Sequence, residues 1–214
     1  MHPAGRLTAE RTLKPVVDVT VVVPSIPTRS TLLQRALESV YAQTVVPAAV
    51  SVRADQTRLG APQNRDLTVG KASTKWLAFL DDDDTLEPDH LRLLLAMAEA
   101  TDADLVYPWF TVKGGTDPFP QWEGVPWSND TPHQVPITFL VKTEAYREVG
   151  GFSYEWDPAQ GADPGVDADG NRAGEDYRFI LRLAAAGKKI VHLNKRTWVW
   201  YHHSSNTMGL PTRW

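Results

Sequence analysis

The first half of the chain alternates apolar, β-branched runs with helical stripes. This alternation constrains the fold more than any other feature. Val16–Val23 is valine-rich and ends at Pro24, the pattern of a parallel-type strand buried on both faces. Thr31 and Gln34 have the spacing of a capping box, and Leu33, Ala36, Leu37 and Val40 follow at helical spacing, which predicts a helix over 31–43. Ala48–Arg53 reads as a second strand, Ala61–Lys71 as a helix, and Trp76–Leu80 as a third strand. Pro88 suits a first helical turn, and Leu91, Leu94, Leu95 and Ala98 mark the buried stripe behind it. Asp104–Tyr107 reads as a fourth strand. Alternation of this kind predicts an α/β fold, a mostly parallel sheet with right-handed crossovers.

The second half has a different character. Residues 108–136 are rich in Pro, Gly and Trp and predict loops with short hairpins. Ile137–Val141 reads as a strand, and Thr143 is expected to cap a short helix to Val149, broken by Gly150, Gly151 and Phe152. Residues 153–174 read as a long polar loop. Within it, Asp163–Asn171 lacks the first and last ligands of a calcium loop and reads as a polar turn. Tyr177, Ile180, Leu181 and Ala184 predict an amphipathic helix stopped at Gly187. Ile190–Leu193 and Thr197–Tyr201 read as two strands. With no linker and no second core, residues 1–214 are expected to form a single domain.

Composition excludes several chemistries. Zero cysteines exclude disulfides, Cys-ligated zinc, iron–sulfur clusters and a Cys nucleophile. The net charge of −4 argues against duplex DNA as the main partner. That charge is unevenly spread: Asp81–Asp89 and Glu155–Asp176 together hold 13 of the 26 acids. Met1–Pro15 has no apolar stretch of the secretory kind, and the apolar run Leu93–Ala98 is far too short to span a bilayer. No membrane segment is expected, and a soluble, cytoplasmic protein is the expectation. P-loop, Rossmann fingerprint, zincin and nucleophile-elbow motifs do not occur.

Three groups of residues can carry chemistry. Trp76–Leu80 runs straight into Asp81–Asp84, so four adjacent carboxylates fall at the mouth of the sheet, where α/β folds bind ligands. Such a cluster repels itself unless a cation sits among it, and its oxygen ligands suit Mg2+ or Mn2+ completed by water and phosphate oxygens. Glu175 and Asp176 stand at the start of a helix. His202 and His203 follow the last strand and could supply a metal ligand. Pro24, Ser25 and Asp55 close two neighbouring strands and are expected to converge on the same crevice.

The order of these elements resembles the family-2 glycosyltransferases of the GT-A fold, over roughly Val17 to Thr207. The resemblance is carried by the strand ending at Pro24, by Asp55, by Gly60 through Asn64 and Arg65, and by Phe79 to Asp84 as the D-x-D region. Gly150 to Phe152, Gly174 to Asp176, Gly187 to Ile190, Tyr201 to His203, and Asn206 with Thr207 complete it. The chain departs from the family at Gln56, Thr57 and Arg58, where an acid and Gly-Ser are usual, and in the order Gln63-Asn64-Arg65.

The resemblance implies a nucleotide-sugar-binding half at 1–107 and an acceptor-binding, catalytic half at 108–214. It implies an inverting, single-transfer enzyme using a nucleoside diphosphate sugar, with uridine favoured. Pro24, Ser25, Asp55, Arg58, Asn64, Asp81, Asp82 and Asp83 are expected to bind the donor. Asp83, Asp81, His202 and His203 are expected to hold Mn2+ or Mg2+. Asp176 is expected to act as general base and Glu175 to orient the acceptor, an unidentified hydroxyl on a protein, glycan, lipid or modified nucleobase. Trp109, Trp122, Trp127 and Trp156 are expected to line the acceptor groove. Competing readings are a metal-dependent phosphohydrolase or nuclease, a nucleotidyltransferase, and a sugar-binding module without turnover.

Overall fold

A computed structural model describes residues 13–153, 155 and 174–203. Its seven strands form one sheet in the order β2-β1-β3-β6-β5-β7-β4. The strands are β1 (Val16–Ser25), β2 (Val46–Ala54), β3 (Trp76–Phe79), β4 (Thr85–Leu86), β5 (Leu105–Lys113), β6 (Leu140–Lys142) and β7 (Ile190–Tyr201). The longer pairings, β1 with β2, β1 with β3 and β5 with β7, are parallel. The short ones, β3 with β6, β5 with β6 and β4 with β7, are antiparallel.

Side-chain alternation divides the core into two layers. Val19, Val21, Val23, Trp76, Ala78 and Val106 face one cluster, completed by α1 (Ser30–Tyr41) and α3 (His90–Thr101). Val22, Leu77, Phe79, Leu105 and Tyr107 face the other. That second layer is completed by Val69 of α2 (Ala61–Val69) and by α4 (Thr143–Glu148) and α5 (Glu175–Ala185). Helices thus cover both faces, so β1 and β3 must be apolar on both faces.

Most expected elements form with shifted ends, and the differences have local causes. Thr31 is not a cap: a 3-10 turn at Pro27–Arg29 starts the chain coiling early, α1 begins at Ser30, and Gln34 bonds Glu38 instead. Thr143 does not cap α4; its hydroxyl donates to the Thr74 carbonyl across to the neighbouring loop. Strand β6 is Leu140–Lys142 rather than Ile137–Val141. β5 continues to Lys113 through a stretch expected to be loop, because β7 runs beside it as one twelve-residue strand. The two expected C-terminal strands are therefore one, with register shifts opposite Pro108 and Trp109. Gly187 does end α5: at φ +70 its N–H bonds Ala184 and the Lys188 N–H bonds Leu183, a Schellman-type closure.

Candidate active site

The strand ends converge as the topology requires. β1 delivers Pro24 and Ser25, β3 leads into Asp81–Asp84, and α5 starts with Glu175 and Asp176. Together they wall one cavity of about 320 Å³. The same cavity has an aromatic lining as well, from Trp109, Phe110, Phe119, Trp198 and Trp200.

The four aspartates are wired to different elements. Ser25 Oγ donates to Asp82 at 2.6 Å. Arg29 Nη1 bridges Asp82 and Asp83, 3.0 Å from each. Asp84 accepts the Tyr201 N–H at 3.0 Å. Arg65 donates to Asp81 at 3.0 Å, and its other nitrogen donates to Glu175 at 2.7 Å. His203 Nε2 lies 3.2 Å from Asp83 Oδ2.

Six carboxylates face the cavity against two guanidinium groups, those of Arg29 and Arg65, among its described lining. The shortage of positive charge shows in the carboxyl groups. Burial, then the charge of Asp81, pushes Asp83 up to about 6 against the pull of Arg29. Asp84 is raised well above the usual range by burial and then by Asp83. Burial also raises Asp82. Asp176 is pushed up to about 6 by burial and by Glu175, with Arg65 opposing. Gln134 Nε2 donates to Asp176 Oδ2 at 3.3 Å, and the Tyr177 N–H donates to Oδ1 at 2.7 Å.

Carboxylate oxygens of Asp81, Asp83 and Asp84 lie within 4.8 Å of one another. Three hard oxygen donors this close together, with Asp83 and Asp84 both raised in proton affinity, fit a divalent ion such as Mg2+ or Mn2+. Asp84 was not among the residues expected as ligands. It belongs to the run expected at the mouth of the sheet, and its burial places it inside the cluster.

The expected residues divide. Pro24, Ser25, Asn64, Asp81, Asp82, Asp83, Glu175, Asp176 and Trp109 line the cavity. Asn64 is internally committed, donating to the Ser25 carbonyl at 3.1 Å and accepting from Arg53. Asp55 lies outside the wall and folds its own loop, accepting the N–H groups of Thr57 and Gly60. Arg58 is exposed, at φ +58, and lies outside the wall too. The His202 ring packs near Trp200, at 5.5 Å between centroids, and against Gly115 rather than the acids.

The tryptophans divide in the same way. Trp122 stacks on His133 at 4.8 Å and Trp127 lies 5.5 Å from the same ring, so both pack internally. Trp109 is fully buried and its indole donates to Asp117 at 2.8 Å. Trp156, Asn206, Thr207 and the Asp163–Asn171 turn lie outside the described residues. Sequence reasoning did not select Arg29, Arg65, Gln134, Trp198 or Trp200, all in the wall. Arg65 lay within a motif, but nothing in its neighbours signalled a buried arginine.

This three-layer sheet, with an acid cluster at the strand ends, defines a protein of the GT-A glycosyltransferase fold. Solved structures agree. Staphylococcus aureus TarS 1–349 in complex with UDP-GlcNAc superposes with a TM-score of 0.67 at 14% identity, over 87% of this chain and 59% of that one. The longer S. aureus TarS structure gives a TM-score of 0.65 at 13% identity, over 86% of this chain and 36% of that one. The sequence model of glycosyl transferase family 2 matches residues 47–152, and the chain is similar to that family over this stretch. The succinoglycan biosynthesis protein ExoO of Rhizobium meliloti (strain 1021) is 34% identical over 42% of this chain. The chain spans 32% of that relative's length. Among the described residues no helix is long and apolar enough to cross a membrane.

Proposed function

We propose that the protein transfers a single sugar from a nucleoside diphosphate sugar, with uridine as the favoured base, to an acceptor hydroxyl, with inversion at the anomeric carbon. The observation that carries this reading is one cavity lined by both the Asp81–Asp84 cluster and the pair Glu175 and Asp176. The UDP and UDP-GlcNAc complexes of the TarS fold relative support the donor class.

Asp81, Asp83 and Asp84 would hold Mn2+ or Mg2+, with His203 rather than His202 beside them. Bound there, the ion would supply Lewis-acid neutralisation of the departing diphosphate. The rest of the work falls to the chain's own groups. Ser25 and Arg29 fix Asp82 and Asp83 before any ligand arrives. Asp176 accepts the proton of the attacking hydroxyl, and burial gives it a proton affinity near working pH, as a general base requires. Gln134 turns its second oxygen. One displacement with one base gives inversion, and adjacent carboxylates favour the oxocarbenium character of the transition state.

The test is to incubate the protein with a panel of nucleotide sugars, Mn2+ and candidate acceptors, and to detect released nucleoside diphosphate and glycosylated product. Phosphodiester cleavage without sugar transfer would sink the reading in favour of a phosphohydrolase. Donor binding without turnover on any acceptor would favour a sugar-binding module.

A further inference from the structure

Two consecutive side chains of α2 reach different points of the chain that leads into the site. Asp66 accepts hydrogen bonds from the Tyr146 hydroxyl, from the N–H groups of Phe152 and Ser153 at 2.8 Å each, and from the Ser153 hydroxyl. Gly151 sits against it at φ +71, where a Cβ would lie 2.6 Å from Asp66 Oδ1, so the position accepts glycine alone without rearrangement. Arg65 turns the other way. Its two terminal nitrogens hold Glu175 at 2.7 Å and Asp81 at 3.0 Å, with a side chain only 8% exposed and its guanidinium 5.4 Å from the centre of the Phe152 ring.

We propose that Arg65 and Asp66 form a positioning pair that sets the acceptor-side acids against the aspartate cluster. Asp66 pins the chain at Phe152–Ser153, and Arg65 pins it again at Glu175, next to Asp176. The inference rests on the glycosyl-transfer reading for its consequence, though not for its geometry. A planar guanidinium spans two carboxylates at fixed separation, which a lysine ammonium does not. The charged groups facing Asp176 are Glu175 on its own helix, Arg65 from α2 and Asp81 from the end of β3, with the Gln134 amide beside them. Removing Arg65 withdraws the guanidinium that stands among three carboxylates. Asp176 then becomes harder to ionise and loses its alignment through Glu175.

The test compares wild type with Arg65→Met, Arg65→Lys and Asp66→Asn by two readouts. The first is a 13C NMR titration of the Asp176 carboxyl, which needs no turnover. The second is transfer rate against pH, with donor KM measured separately. Arg65→Met is expected to move the Asp176 titration and the acid limb of kcat/KM upward by ~0.5 pH unit or more. It should lower kcat by at least ~10-fold with little change in donor KM, and added methylguanidinium should restore part of the rate. Arg65→Lys, which keeps the charge and covers the case of a misfolded Met variant, should lower kcat with a smaller titration change. Asp66→Asn should lower kcat and leave the titration in place.

An Asp176 titration unmoved in both Arg65 variants overturns the inference, whether or not the enzyme turns over. A loss confined to donor KM also overturns it, making Arg65 a donor contact. A normal titration response in a protein that transfers no sugar supports the positioning geometry and defeats the glycosyl-transfer reading alone.

Discussion

Asp81–Asp84 stand at the end of a strand buried on both faces, and each is held from another element: Arg65, Ser25, Arg29 or the Tyr201 backbone. Glu175 and Asp176 stand on the first turn of a helix. They are held by Arg65, by Gln134 and by the helix's own N–H at Tyr177. Each group is held by side chains and one backbone N–H, and Arg65 is common to both; what differs is the support, a strand buried in the sheet for the first and a helix start for the second. The two parts of the proposed site are thus mounted on different kinds of element. A strand end carries the acids proposed to share a cation, and a helix start carries the acids proposed to meet the acceptor.

Substitutions can break this contrast cleanly. The largest effects should fall on transfer rate: Asp83→Ala and Asp176→Asn are each expected to lower it by at least ~10²-fold. A second measurement separates them. Saturating Mn2+ should raise the melting temperature of wild type and of Asp176→Asn, since binding to the folded state alone stabilises by ~2.7 kcal/mol at a hundred times Kd. Asp83→Ala should lose that rise. An equal rise in all three would dissolve the assignment of the cation to the strand-end group.

The pH response is the next effect in size. As the proposed general base, Asp176 has to be ionised to accept a proton, so kcat/KM should fall tenfold per pH unit below about 6. Stability runs the other way. Because the folded-state value lies above the ordinary one, this group's contribution is complete below the unfolded value and is lost as pH rises through about 6. Melting curves of wild type and Asp176→Asn should therefore coincide near pH 4 and separate above pH 6, with the Asn variant higher. The reverse order would show that the carboxylate is stabilised rather than strained by its surroundings.

The smallest effects concern the aromatic wall. Trp200→Ala should raise acceptor KM several-fold with donor KM unchanged, because this ring lines the cavity and is partly exposed. Trp122→Ala should leave acceptor KM alone and lower the melting temperature, because it loses the stack on His133. Steady-state kinetics with the two substrates varied independently checks both.

The sheet core was legible because a strand buried on both faces leaves an unmistakable apolar run, as in Val19–Val23 and Trp76–Leu80. Strand β7 reads as two in the sequence because Asn194, Lys195 and Arg196 are exposed and polar in its middle. β5 was cut short because Pro108 ordinarily argues against a strand interior. Thr85–Leu86 makes a two-residue strand too short to leave a period. In the site, acids at strand ends were visible from position alone. Arg29 and Arg65 were not, since a buried arginine differs from a surface one only in its partners, and those partners lie up to 110 residues away. Of the two histidines, His202 continues the pairing of β7 through its N–H to Lys113, which turns the next side chain, His203, toward Asp83.

The seam between β5 and β7 sets a counting rule. Pro108 pairs with Leu193, Trp109 with Arg196 and Phe110 with Trp198, so β7 absorbs extra residues and then resumes step with its partner. Beyond the seam, parity decides which side chains face the cavity: Trp198 and Trp200 line it, while Tyr201 lends its N–H to Asp84. Adding or deleting one residue among Asn194–Arg196 would reverse that parity, turning the tryptophans away and moving the clasp on Asp84 by one place. Two residues gained or lost together would preserve it. Length variation in this stretch is therefore expected in even steps, and an odd step is expected to cost the site rather than the fold.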